Sequence, residues 1–206
     1  MGTLKVDNIQ TESGSAIITN GVIQTTMLKN SGVGMILLNT TDITSSTALI
    51  TFDNTLITDT YNKYIIEYEG LKPVTDDVDI RSRYSTDNGS SFLTGTFNYG
   101  YQYSKMGAAA TGGTGNTKTD YAMTDYSAGN DANFCYAGTF RIDGMRDSGS
   151  FLSIRHEWIM KNSGNFTYVS QEGWTLENAS VINFMEWSFS SGNIADGTFS
   201  FYGLAK

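Results

Sequence analysis

Apolar and polar residues alternate at period 2 over most of this chain, in short runs punctuated by Gly, Ser, Asn and Asp. From "MILLNTT" (35–41) onward, strand candidates follow one another. In "STALITF" (46–52), Ala48, Ile50 and Phe52 share one face. "YNKYIIEYEGL" (61–71) sets Tyr64, Ile66 and Tyr68 on one face and Ile65, Glu67 and Glu69 on the other. Its density of β-branched and aromatic residues favours a strand over a helix. The series continues in "NFCYAGTFRIDG" (133–144), "SFLSIRHEWIMKN" (150–162), "NFTYVSQEGWTL" (165–176), "VINFMEWSFSSG" (181–192) and "GTFSFYGLA" (197–205). Short strands at this spacing predict an all-β chain, an antiparallel β-sandwich or jelly roll. No repeat of roughly 20 to 50 residues recurs, which disfavours a propeller or solenoid.

One turn is readable in detail. In "VDIRSRYSTDNGSSFLTGTFNYGY", Asn88-Gly89 is the dipeptide preferred by a two-residue type I′ hairpin, where both positions need positive φ. Taking it as the loop pairs Ser85 with Phe92, Tyr84 with Leu93, Ile80 with Phe97 and Val78 with Tyr99. That register predicts one face of Val78, Ile80, Tyr84, Leu93, Phe97 and Tyr99, and an opposite face of Asp79, Arg81, Arg83, Thr94 and Thr96. Residues 104 to 132 then break the pattern with Gly, Ala, Thr and Asp, and read as a long loop between strands.

The first 33 residues differ from the rest. "GTLKVDNIQTESGSAIITNGVIQ" (2–24) carries short aliphatic runs with too little apolar surface for a core of its own, and ends in the linker-like "KNSGVG". The chain therefore divides into an N-terminal attachment or oligomerisation segment, 1–33, and a β-sandwich domain, 34–206. Leu4, Val6, Ile9, Ile17, Ile18, Val22 and Ile23 are the assembly candidates: an extended segment without a core buries its aliphatics on copies of itself or on a docking partner. Five such side chains contribute about 8–15 kcal/mol gross, before ordering costs.

Composition sharpens this picture. Tyr and Phe number 12 and 11, Gly 22 and Pro 1, which suits strands joined by tight turns. A net charge of −8 disfavours nucleic acid, whose phosphates require Lys and Arg, and suits a soluble particle surface. The single Cys135 forbids an internal disulfide, so stability must come from packing or assembly. No stretch approaches the roughly 18 apolar residues of a membrane span, so no membrane insertion is expected. Nor does Met1–Lys5 resemble the start of a signal peptide.

The chemistry-bearing residues form no ordered motif. His156, the only histidine, alternates with Leu152, Ile154 and Trp158 and reads as packed or interfacial rather than catalytic. Cys135, in a strand, reads as a small apolar residue. Glu157, Glu172 and Glu186 are carboxylates without a pairing motif, although paired carboxylates are what glycoside hydrolysis needs. Asp76, Asp77 and Asp79 offer oxygens but lack the spacing of a calcium loop, and read as a solvated turn. "TGGTGNTKTD", with Lys118, matches no phosphate-binding pattern. Neither a metal nor a cofactor is expected. The aromatic residues are the better binding candidates, since sugars lie flat on exposed rings. Tyr121 and Tyr126, on the predicted loop, lead; Tyr101 and Tyr103 follow, although a strand face of tyrosines also suits a core edge or subunit interface.

The opening segment resembles the N-termini of virion proteins of tailed bacteriophages, especially phages of cyanobacteria and other marine bacteria, in which a Leu-Lys-Val-Asp-x-Ile-Gln start precedes a fibre or appendage. The body is similar to a β-sandwich module of the same proteins in "ITFDNTLITDTYNKYIIEYEGLKP" (50–73), "RSRYSTDNGSSF" (81–92) and "SSGNIADGTFSFYGLAK" (190–206). The resemblance implies a structural virion protein, a tail fibre or appendage located on the phage particle, and carries no catalytic residue. It implies a homotrimer, other virion proteins as partners, and host surface polysaccharide as a ligand. A capsid decoration or cement protein is the alternative, and a polysaccharide depolymerase the third reading.

Overall fold

Alternation is realised as strands: a computed structural model contains β-strands and no helix among the described residues. The structure describes residues 34–95, 97–118, 121–122, 127–134 and 136–205, together with the backbone of three short strands that precede them. In chain order the strands are β1 (Asn8–Gln10), β2 (Ala16–Thr19), β3 (Val22–Ile23), β4 (Met35–Ile43), β5 (Ile50–Phe52), β6 (Tyr61–Pro73), β7 (Ile80–Ser85), β8 (Phe97–Lys105), β9 (Thr111–Lys118), β10 (Tyr121–Ala122), β11 (Tyr136–Asp143), β12 (Leu152–Lys161), β13 (Thr167–Leu176), β14 (Phe184–Phe189) and β15 (Ile194–Ala205).

Eight strands form one sheet in the order β4-β15-β6-β11-β12-β13-β8-β9, and four form a second in the order β10-β7-β14-β5. The chain is an all-β antiparallel sandwich. Each long strand sorts its residues by face: on β12, Leu152, Ile154, His156, Trp158 and Met160 are buried while Arg155, Glu157 and Ile159 are exposed. On β6, Tyr64, Ile66 and Tyr68 point inward as their spacing predicts. The two sheets meet through aromatic contacts, with ring centroids 4.3 Å apart for Phe140 and Trp187 and 4.4 Å for Phe52 and Phe201. Stacked or tilted rings at such distances add to the area they bury. The candidate over 46–52 shortens to β5, where Ile50 and Phe52 are buried and Ala48 is exposed.

The turn at Asn88-Gly89 forms, but the hairpin does not. Asn88 and Gly89 both adopt positive φ, 57° and 86°, and Leu93 N donates to Tyr84 O at 2.8 Å, one bond of the predicted register. Beyond that bond the strands part. β7 pairs with β14 and β10, while β8 pairs with β13 and β9 in the other sheet. Side chains close the turn instead: the Asp87 carboxylate accepts from Ser85 Oγ at 2.7 Å, Ser91 N at 2.8 Å and Ser91 Oγ at 2.6 Å. β7 pairs with β14 instead, where Glu186 sits directly opposite Arg83 and accepts from its Nε at 2.7 Å. The predicted inward face survives. Val78, Ile80, Tyr84 and Phe97 are buried and Leu93 and Tyr99 pack beside them, so residues expected as lateral neighbours meet across the core.

The long loop expected over 104–132 is also replaced by structure. β8 runs on to Lys105, and "TGGTGNTK" returns beside it as the edge strand β9. β10 then joins the smaller sheet against Ser82 and Arg81.

Ahead of the sandwich, β1, β2 and β3 form a separate antiparallel sheet in which Ile9 pairs with Ile18 and Ile18 with Ile23. Ile17 lies in β2 and Val22 in β3. Leu4 and Val6 lie outside the described residues.

Candidate functional site

The tyrosines of β8 form the most ordered surface feature near an edge of the large sheet. Tyr99, Tyr101 and Tyr103 occupy alternate positions, and their rings stack at centroid separations of 6.3 and 6.1 Å with interplanar angles of 13° and 19°. The neighbouring strand makes room for them. Gly115 lies opposite Tyr99 and Gly113 opposite Tyr101; a Cβ would fall within 2.8 Å of the Tyr101 hydroxyl at Gly113 and closer still to the Tyr99 hydroxyl at Gly115. The glycines that hid β9 from a hydropathy reading are thus the bed on which the rings lie. On their inner side the rings join the core, Tyr99 stacking on Trp174 at 4.6 Å and Tyr103 tilting against Tyr168 at 6.0 Å. All three are half-buried. Tyr101 and Tyr103 therefore stand together in one ladder. Tyr121 belongs to β10 of the other sheet, its side chain not described, and Tyr126 lies outside the described residues.

Behind the ladder is a buried polar network. Glu172, on β13, stands opposite Tyr101 of β8 and His156 of β12. Its carboxylate accepts from Trp158 Nε1 at 2.8 Å and Trp174 Nε1 at 3.1 Å. Ser170 Oγ donates to Gln102 O at 3.0 Å and lies 3.4 Å from Glu172 Oε1. His156 is fully buried, stacked on Phe140 at 3.9 Å, with Nε2 2.8 Å from the Tyr68 hydroxyl and Nδ1 3.8 Å from Glu172 Oε2. Burial pushes the imidazole below its ordinary value, with Glu172 opposing, and pushes the Tyr68 phenol well above its own. A protonated phenol thus faces Nε2 of a neutral imidazole, and Nδ1 is left without a hydrogen-bond partner. Almost wholly buried, this group of side chains fixes the core, and Glu172 takes its donors from the two indoles and the Ser170 hydroxyl.

The remaining candidates are dispersed. Glu157 is exposed on the outer face of β12, Glu172 is buried on the inner face of β13, and Glu186 lies in the other sheet with Arg83. Asp76 accepts from Asn130 N at 3.1 Å and Asp79 from Ser127 Oγ at 3.0 Å, which ties the acidic turn to the 127–130 segment. Among the described residues, no group of three His, Cys, Asp or Glu is placed to hold a metal ion. Cys135 lies outside the described residues, and Lys118 belongs to β9 with its side chain not described.

Strand register also composes a row across the outer face that no local pattern announces. Leu37, Tyr202, Ile65, Arg141, Arg155, Gly173, Gly100 and Thr114 stand successively opposite one another, one from each strand of the large sheet. Alternation does assign Arg141 and Arg155 to the outer face, but only pairing makes them neighbours. Comparison with protein-family models, curated proteins and solved structures returns no match for this chain.

Proposed function

We propose that this chain is a non-enzymatic structural protein of a tailed-phage virion, a tail fibre or appendage that assembles as a homotrimer through its N-terminal segment and presents its β-sandwich to host surface polysaccharide. The observation that carries the reading is the N-terminal sheet. Its strands are three, four and two residues long and share no ladder with either sheet of the sandwich. Ribbons this small are marginal in water alone. With aliphatics such as Ile9, Ile18 and Ile23 at paired positions, the segment gains stability by burying them against other copies or a virion partner. The resemblance of residues 2–24 to virion N-termini supports the same conclusion, and the stacked tyrosines of β8 support a carbohydrate-facing role for the sandwich.

The test is size measurement by light scattering on the full chain and on a variant lacking residues 1–30. The full chain is expected as a trimer and the truncated chain as a folded monomer. A truncated chain that remains a stable trimer overturns the assembly role.

A further inference from the structure

Resting on the glycan-binding part of this reading, we infer that the outer face of the large sheet binds acidic polysaccharide, with Arg141 and Arg155 as the carboxylate-recognising pair. These two arginines stand directly opposite each other on β11 and β12, and both are exposed. Like charges in that position repel, a cost that a bound carboxylate between them would relieve. Among the described residues the ion pairs include Lys63–Asp143, Arg83–Glu186 and Arg146–Asp59, and neither arginine takes part in one. Glu67 and Glu157 sit one step along the strands, both opposite Thr139, where they border the pair on one side. Lys63 and Asp143 border it on the other and neutralise each other at 3.1 Å. The two glutamates offset the two guanidiniums in formal charge, so what this face offers a carboxylate is two adjacent forks held in no ion pair rather than a net positive field.

The surroundings fit a sugar acid. Arg141, Arg155, Ile65 and Leu204 line one shallow depression together with the mutually paired Lys63 and Asp143, so cationic forks stand beside apolar carbon that suits the C–H face of a pyranose ring. A second depression opens where Arg155 meets Gly173, lined by Gly100, Thr114 and Thr175. Its floor is bare: a Cβ on Gly173 would meet nothing within 4 Å, and one on Gly100 would meet Thr114 Cγ2 at 3.7 Å. The row from Arg141 to Thr114 crosses five strands, roughly 19 Å at the usual strand spacing. It is an open, hydroxyl-edged track with cations at one end. A protein partner of this row would need an apolar centre, which the glycine floor does not offer.

The experiment is calorimetric titration of the full chain with polygalacturonate, neutral dextran and poly-L-glutamate, repeated on Arg141→Ala, Arg155→Ala and the double lysine variant R141K/R155K. Polygalacturonate is expected to bind, dextran to bind weakly or not at all, and added salt to weaken the interaction. Each alanine variant should lose about tenfold in affinity at unchanged melting temperature, the size of one charge-assisted contact, and R141K/R155K should recover part of the loss. If polygalacturonate and dextran bind alike, or the alanine variants bind as the parent does, this inference fails while glycan binding stands. If poly-L-glutamate binds as tightly as polygalacturonate, the face is an acidic-protein surface and the inference also fails. If no polysaccharide binds, the glycan-binding reading fails with it, and the trimer measurement still judges the virion role on its own.

Discussion

Glu172 shows how one polar side chain organises the core around it. Its carboxylate is the acceptor for two buried indole N–H groups, so removing it strands both donors away from water. Glu172→Ala is expected to cost about 2–5 kcal/mol in a denaturant titration, since each orphaned donor keeps its desolvation penalty. A loss below about 1 kcal/mol would mean that water reaches the indoles. His156 sets a pH dependence. Because burial holds its imidazole below the ordinary value, the unfolded chain takes up a proton, near pH ~6.5, that the native state refuses. Between the two values the unfolded state binds more protons, and stability rises with pH. The contribution is fully present above the unfolded value and is lost as pH falls beneath it, with a slope of up to about 1.4 kcal/mol per pH unit. Melting temperature should therefore drop between about pH 7.5 and about pH 5, and drop less in His156→Gln. Parallel curves for the two proteins would remove the histidine from the account.

Among the elements, the 86–95 segment and β9 carry the most instructive departures from expectation. Gly89 holds φ at 86°, and a Cβ there would approach the Phe184 ring to 3.0 Å. Gly89→Ala should lower stability by about 1–2 kcal/mol in thermal or chemical denaturation, whereas Asn88→Gly, at φ 57°, should change it by only a few tenths. Equal effects would mean that the turn relaxes. The turn was legible because its dipeptide demands positive φ locally. The ladder expected beyond it is not legible, since Asp87, Ser85 and Ser91 satisfy the turn by themselves and nothing local ties β7 to β8. β9 was illegible for a different reason. Two of its inward positions, Gly113 and Gly115, are covered by the rings of Tyr101 and Tyr99, so its hydrophobic complement is written in another strand.

Over the whole molecule, a large sheet and a small one share a core built mainly from aromatic rings, and the N-terminal sheet stands apart from both ladders. That separation is why truncation of residues 1–30 is expected to abolish the trimer while leaving the sandwich folded. Within the long strands, which residues enter the core follows from alternation, because a strand turns successive side chains to opposite faces and water sorts one face from the other. Tyr64, Ile66, Tyr68, Ile154, Trp158 and even His156 were placed inward on that ground, and all are buried. Which strands become neighbours does not follow, because backbone N–H and C=O groups pair without regard to residue identity. Packing of the two sheets settled that choice, sending β7 to β14 and β8 to β13. The tyrosine ladder needed only one strand and could be read as "FNYGYQY". The row from Arg141 through Arg155 and Gly173 to Thr114 takes one residue from each of five strands, and it comes into being only when register is set.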